Sequence, residues 1–143
     1  MQTMISVASE FQHSINIAYD LNDDSKLNSF IPTSSFFELL RDILLSTNKN
    51  STERARILIG AYGKGKSHIV LAIITMLMGR NLKTYTNVLP KLKEDKKLYQ
   101  QVRNFYDEKR KFLPVIISGN NGSLTQAFLY SLQVALKENG LEN

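Results

Sequence analysis

The residues with the most evident chemistry are Gly60, Ala61, Tyr62, Gly63, Lys64, Gly65, Lys66 and Ser67, which fit the phosphate-cradling pattern G-x-x-x-x-G-K-[ST] at every fixed position. Average residue usage makes a chance match in 143 residues about a one-in-two-hundred event. Glycines at 60, 63 and 65 let a backbone take positive φ and approach an anion with no Cβ in the way. Successive N–H groups from Gly63 to His68 would then face inward as an anion nest. A helix opening at Lys66 would add the positive end of its dipole there. In that arrangement Lys66 supplies a point charge to β- and γ-phosphates. Ser67 offers a hydroxyl to Mg²⁺, which takes few protein ligands beside phosphate oxygens. Lys64 is expected in solvent. His68 is expected to offer its backbone N–H to an α-phosphate while its ring packs nearby. The expected ligands are therefore ATP and Mg²⁺, with Gly60 through His68 as the binding loop and Ser67 as the metal ligand.

The elements that must hold this loop can be read from periodicity. Arg56 to Ile59 is a short apolar run ending at a glycine and predicts a strand buried on both faces. Lys66 to Met78 predicts a helix, apolar all round and therefore nearly buried, closed by Gly79. Upstream, Ser35 with Glu38 reads as a capping box, and Phe36, Leu39, Leu40, Ile43 and Leu44 form one face of a helix ending near Ser46. Before it, Ile15, Ile17, Tyr19 and Leu21 alternate like a strand, although a helix from about Ile5 through Ile15 fits equally, and residues 22–25 read as a turn. Downstream, Lys91 to Lys111 predicts an exposed, interrupted helix with a thin stripe of Leu92, Leu98, Val102 and Phe105, joined by Tyr99 and Tyr106. Phe112 to Ile117 predicts a second strand. Residues 120–122 read as a turn, and Ser123 with Gln126 caps a last helix that stops at Gly140.

Composition sets limits on the chemistry. A hydrophobic share of 43% with 22% charged residues is that of a folded chain, and the length suits one modest domain. The absence of cysteine excludes disulfides and thiolate metal sites. His13 and His68 alone make a poor zinc site. No signal peptide is legible, and the longest apolar stretch, Ile69 to Met78, is far short of a membrane span of about 20 residues. A cytoplasmic location without membrane contact is expected. The net charge of +5 is unevenly placed: residues 80–111 hold ten Lys and Arg against four acids, while residues 1–50 are net acidic.

With these motifs in view, the run from Arg54 to His68 resembles the Walker A region of large bacterial AAA-like P-loop ATPases, some of them in anti-phage defence systems of the BREX type. Tyr62 and His68 match their variant G-x-Y-G-x-G-K-S-H. The stretch from Phe30 to Ser35 is similar to their lead-in, and Ser123 to Phe128 to the helix after their second strand. The resemblance implies an α/β fold, a P-loop NTPase-like three-layer sandwich whose sheet is incomplete here. It divides the chain into a lead-in with an amphipathic helix over residues 1–53 and the N-terminal half of a nucleotide-binding domain over residues 54–143. It also implies ATPase activity, but hydrolysis calls for an acid at the end of a second strand to hold Mg²⁺. The run Val115, Ile116, Ile117 leads only into Ser118, Gly119 and Asn120. The remainder of an ATPase, or another subunit, is the expected source, with nucleic acid reached through that complex.

Two other readings compete. The 80–111 segment can serve as a basic nucleic-acid-binding module through Lys91, Lys93, Lys96, Lys97, Arg103, Lys109, Arg110 and Lys111, with Tyr99, Phe105 and Tyr106 stacking on bases. Alternatively the chain is a partner-binding domain, in which case the apolar helix from Lys66 would be exposed until a neighbour covers it.

Overall fold

The computed structural model describes residues 14–119 and 122–141. Among them, seven α-helices and one 3₁₀ turn follow in order: α1 (Ile17–Asp20), α2 (Asp24–Asn28), α3 (Ser34–Ser46), α4 (Lys66–Leu77), the 3₁₀ turn (Leu82–Thr84), α5 (Val88–Glu94), α6 (Lys96–Asp107) and α7 (Leu124–Glu138).

No strand forms among the described residues, so the expected P-loop NTPase-like three-layer α/β sandwich is incorrect for this structure. The two runs read as strands, Arg56 to Ile59 and Phe112 to Ile117, are irregular backbone without a ladder partner. A strand exists only where a neighbour takes its N–H and C=O groups, and apolar sequence alone cannot supply one. Nor is the first run buried: Ile57 is 86% exposed and Ile59 92%. Phe112 instead donates its N–H to Leu77 O at the end of α4 (2.9 Å), which tethers the second run to a helix.

The alternation over Ile15 to Leu21 is likewise not a strand; α1 and its following turn occupy it, with the Asn16 side chain accepting from Ala18 N. The alternative helix over Ile5 to Ile15 falls mostly outside the described residues. Of the turn expected at residues 22–25, Asn22 closes the turn after α1, whereas Asp23 caps α2 through Ser25 N and Asp24 and Ser25 begin that helix. The capping box at Ser35 and Glu38 is not used: α3 begins earlier, with Thr33 at its N-cap and no side-chain cap bond. Three expectations hold. α4 runs from Lys66, with Gly79 at φ +80° just past its end. The charged segment is interrupted, at Asp95. Ser123 caps α7 by accepting from Gln126 N (3.2 Å).

The core lies where α2 to α6 meet. Leu27 and Phe30 pack with Phe36, Leu40 and Leu44 of α3, with Leu71, Ala72, Ile73 and Met76 of α4, and with Val88, Leu92, Leu98, Val102 and Phe105. It therefore joins residues from both sides of position 53. α4 is its central rod, buried as its all-round apolar pattern predicts; helices of the same chain cover it, so the exposed α4 that the partner-binding alternative implied is not seen. α7 contributes only Ala135 as a buried residue.

One polar chain runs through this core. Thr75 Oγ1 donates back to Leu71 O (2.8 Å), and the Tyr85 hydroxyl donates to Thr75 Oγ1 (2.8 Å). Burial raises the Tyr85 phenol well above its ordinary pKa, as it does for Tyr106. The Tyr106 hydroxyl sits against Arg80 O (2.6 Å) and Met76 O (3.2 Å), fastening α6 to the C-terminal end of α4.

Candidate functional site

The glycine-rich loop connects irregular backbone to the buried rod α4. Gly63 and Gly65 both take φ +75°, the left-handed region that glycine adopts without strain. Gly65 is the N-cap of α4 and makes no side-chain cap bond, so the first-turn N–H groups face outward with no side chain bonded across them. An open loop and an uncapped helix start thus coincide, and both favour an anion.

Lys66 begins α4 and folds back over the loop. Its Nζ donates to Gly60 O (2.8 Å) and Ala61 O (2.6 Å), which holds the ammonium within the turn that it closes. Ser67 is exposed in the first turn, and Lys64 is exposed as expected. Tyr62 is fully exposed, with nothing packed on its ring.

His68 has a different surrounding. Its Nε2 lies 2.5 Å from Lys26 O, and its ring sits against Phe30 with centroids 4.8 Å apart. Since a carbonyl oxygen only accepts, Nε2 is the protonated nitrogen. The ring therefore packs, as expected, and ties the start of α4 to α2 rather than facing the loop. Motif spacing carries no sign of this tether, because Lys26 lies 42 residues away.

Gly60 through Ser67 thus come together as one loop and helix start, with the His68 ring turned away. A nucleotide's phosphates suit this geometry: donors and an ammonium are grouped, and a Cβ added at Gly63 or Gly65 would meet no neighbour, which marks open space. The exposed Ser67 hydroxyl stands at this helix start; among the described residues no group of three His, Asp or Glu gathers as a metal site.

The second candidate region, residues 80–111, is less uniform than its charge suggests. Arg80 is spent on Asp24 and on Leu21 O, and Arg110 donates to Thr47 O (2.9 Å) while lying over the Phe105 ring at 5.2 Å. Phe105 is buried and stacked on Phe112, so it is closed to a base. Tyr106 has its hydroxyl committed. Tyr99 is the remaining aromatic of the three, half-buried on the same flank of α6.

No family model, curated protein or solved structure matches the chain. Among the described residues, no helix is long and apolar enough to cross a membrane.

Proposed function

We propose that this protein binds the phosphates of a nucleotide, ATP with Mg²⁺, at the loop from Gly60 to His68. One observation carries the reading: the left-handed glycines at 63 and 65 open the backbone at the same point where α4 begins uncapped and Lys66 holds its ammonium. Packing does not call for a lysine and a serine at the mouth of an otherwise apolar helix, whereas anion binding does.

In the loaded state the first-turn N–H groups of α4 and the Gly63 and Gly65 amides donate to phosphate oxygens. Lys66 exchanges the Gly60 and Ala61 carbonyls for phosphate, trading two neutral acceptors for a charged one. The Ser67 hydroxyl adds one oxygen to the metal. Mg²⁺, when bound, neutralises phosphate charge and orients the β- and γ-groups. Hydrolysis asks for a further acid, which we assign to a chain segment or subunit outside the described residues. The cytoplasm, where Mg·ATP is plentiful, is the proposed setting.

Calorimetric titration with ATP and Mg²⁺, run beside Lys66→Ala, tests the reading. Saturable binding should weaken by about tenfold or more in the variant, as expected when a charge-assisted bond is removed. A folded wild-type chain that binds no nucleotide, or a variant that binds as well as wild type, rejects it.

A further inference from the structure

At the opposite end of α4 lies a second concavity, separate from the phosphate loop. A hollow of about 550 Å³ opens between the 3₁₀ turn, α5 and α6, with Gly79, Lys83, Lys93, Tyr99, Arg103 and Tyr106 on its wall. Tyr99 and Arg103 stand one turn apart on α6, so they share a flank. Tyr106 forms a fixed part of the wall, because its hydroxyl is fastened to Arg80 O and Met76 O.

The charge on this wall is only partly compensated. Asp107 is the one acid on it, and it is engaged by Arg103 at 3.7 Å. Among the described residues no carboxylate lies within 4 Å of Lys83 or Lys93. Arg80, close by, is neutralised by Asp24 (3.1 Å) and takes no part. Three cations therefore face one acid around a half-buried tyrosine. A flat basic face would suit a duplex backbone, but a concavity with an aromatic wall suits an unstacked base beside its phosphate.

We propose that this hollow binds a nucleotide unit, its phosphate held by Lys83, Lys93 and Arg103 and its base lying against the Tyr99 ring. The unit comes either from a single-stranded nucleic acid or from a free nucleotide; both present the same phosphate and base. The assignment does not depend on the phosphate loop, and the Lys66→Ala background keeps the two sites distinguishable.

The test measures fluorescence anisotropy of a labelled twelve-nucleotide thymidine strand, and binding of a labelled mononucleotide, in that background. Exposed lysines and an exposed arginine carry the charge, so Lys83→Glu with Arg103→Glu should leave the fold intact, as checked by circular dichroism. Binding should fall by about tenfold or more, and the salt dependence of strand binding should flatten by about 0.7 for each phosphate no longer neutralised. Tyr99→Ala should weaken binding by about tenfold, with Tyr99→Phe restoring it, because stacking needs the ring and not the hydroxyl.

Lys49→Glu with Lys97→Glu makes the same change in charge at exposed lysines away from the hollow and should cost much less. Displacement of the strand by mononucleotide would identify the free nucleotide as the source; strand binding that resists mononucleotide would identify the strand. Equal weakening by the two charge-reversal pairs would reduce the effect to diffuse attraction and overturn the proposal. So would failure of the folded chain to bind either probe.

Discussion

Tyr85 is the residue whose contribution is least visible in the sequence. It belongs to no periodic run, lying between a 3₁₀ turn and a helix, yet it is fully buried and donates to Thr75 Oγ1. Its buried hydroxyl is satisfied by a partner ten positions upstream on another element, which periodicity does not register. Tyr85→Phe should lower stability by about 1 kcal/mol, since Thr75 retains its own acceptor at Leu71 O and a single bond is removed. Urea denaturation of both forms measures this. An unchanged midpoint would mean that this hydroxyl pair adds nothing. By contrast, Gly63, Gly65, Lys66 and Ser67 are legible in type and position, because a glycine-rich turn into a helix start constrains each residue locally. The conformation of Lys66, bonded to its own loop, and the tether of His68 to Lys26 depend on atoms the motif does not specify.

Elements are legible where a helix carries its own stripe, as in α3, α6 and α7, or is apolar all round, as in α4. Short apolar runs mislead instead. Ile57 to Ile59 and Val115 to Ile117 have strand-like composition, but each lacks a neighbour to complete a ladder. The break between α5 and α6 is a local instruction that the sequence does contain. Asp95 accepts from Leu98 N (2.9 Å), capping α6, and pairs with Arg41 on α3 (2.5 Å). The Leu98 N–H first, and the Arg41 guanidinium with it, hold its carboxyl below the usual range. A folded-state value below the unfolded one stabilises the protein above the ordinary aspartate pKa of about 3.9, and that stabilisation fades as pH falls through the lowered value. Asp95→Asn keeps a capping acceptor but removes the titration. Its melting temperature should therefore fall less steeply than that of wild type across the acid range. Parallel curves for the two proteins would show that Asp95 does not contribute to acid sensitivity.

For the whole molecule, stability should be uneven. α2 to α6 enclose one core around α4, whereas α7 buries only Ala135 and exposes Leu124, Leu129 and Tyr130. Few buried contacts mean low local opening free energy. Hydrogen exchange should therefore find the amides from Leu71 to Met76 protected by on the order of a hundredfold more than those of α7. Equal protection would show that α7 opens only with the core. Both α4 and α7 read as apolar helices in sequence, and the difference between them lies in which neighbours cover them.

α4 also acts as a ruler. Its twelve residues set the glycine loop and the basic hollow about 18 Å apart at its two ends. At physiological ionic strength electrostatic influence decays over about 8 Å, so anions held at both ends would scarcely sense each other. In dilute buffer, where that length grows to about 30 Å, the same two anions would repel across the whole rod. Salt concentration alone would then decide whether the two ends of this one helix act as strangers or as rivals.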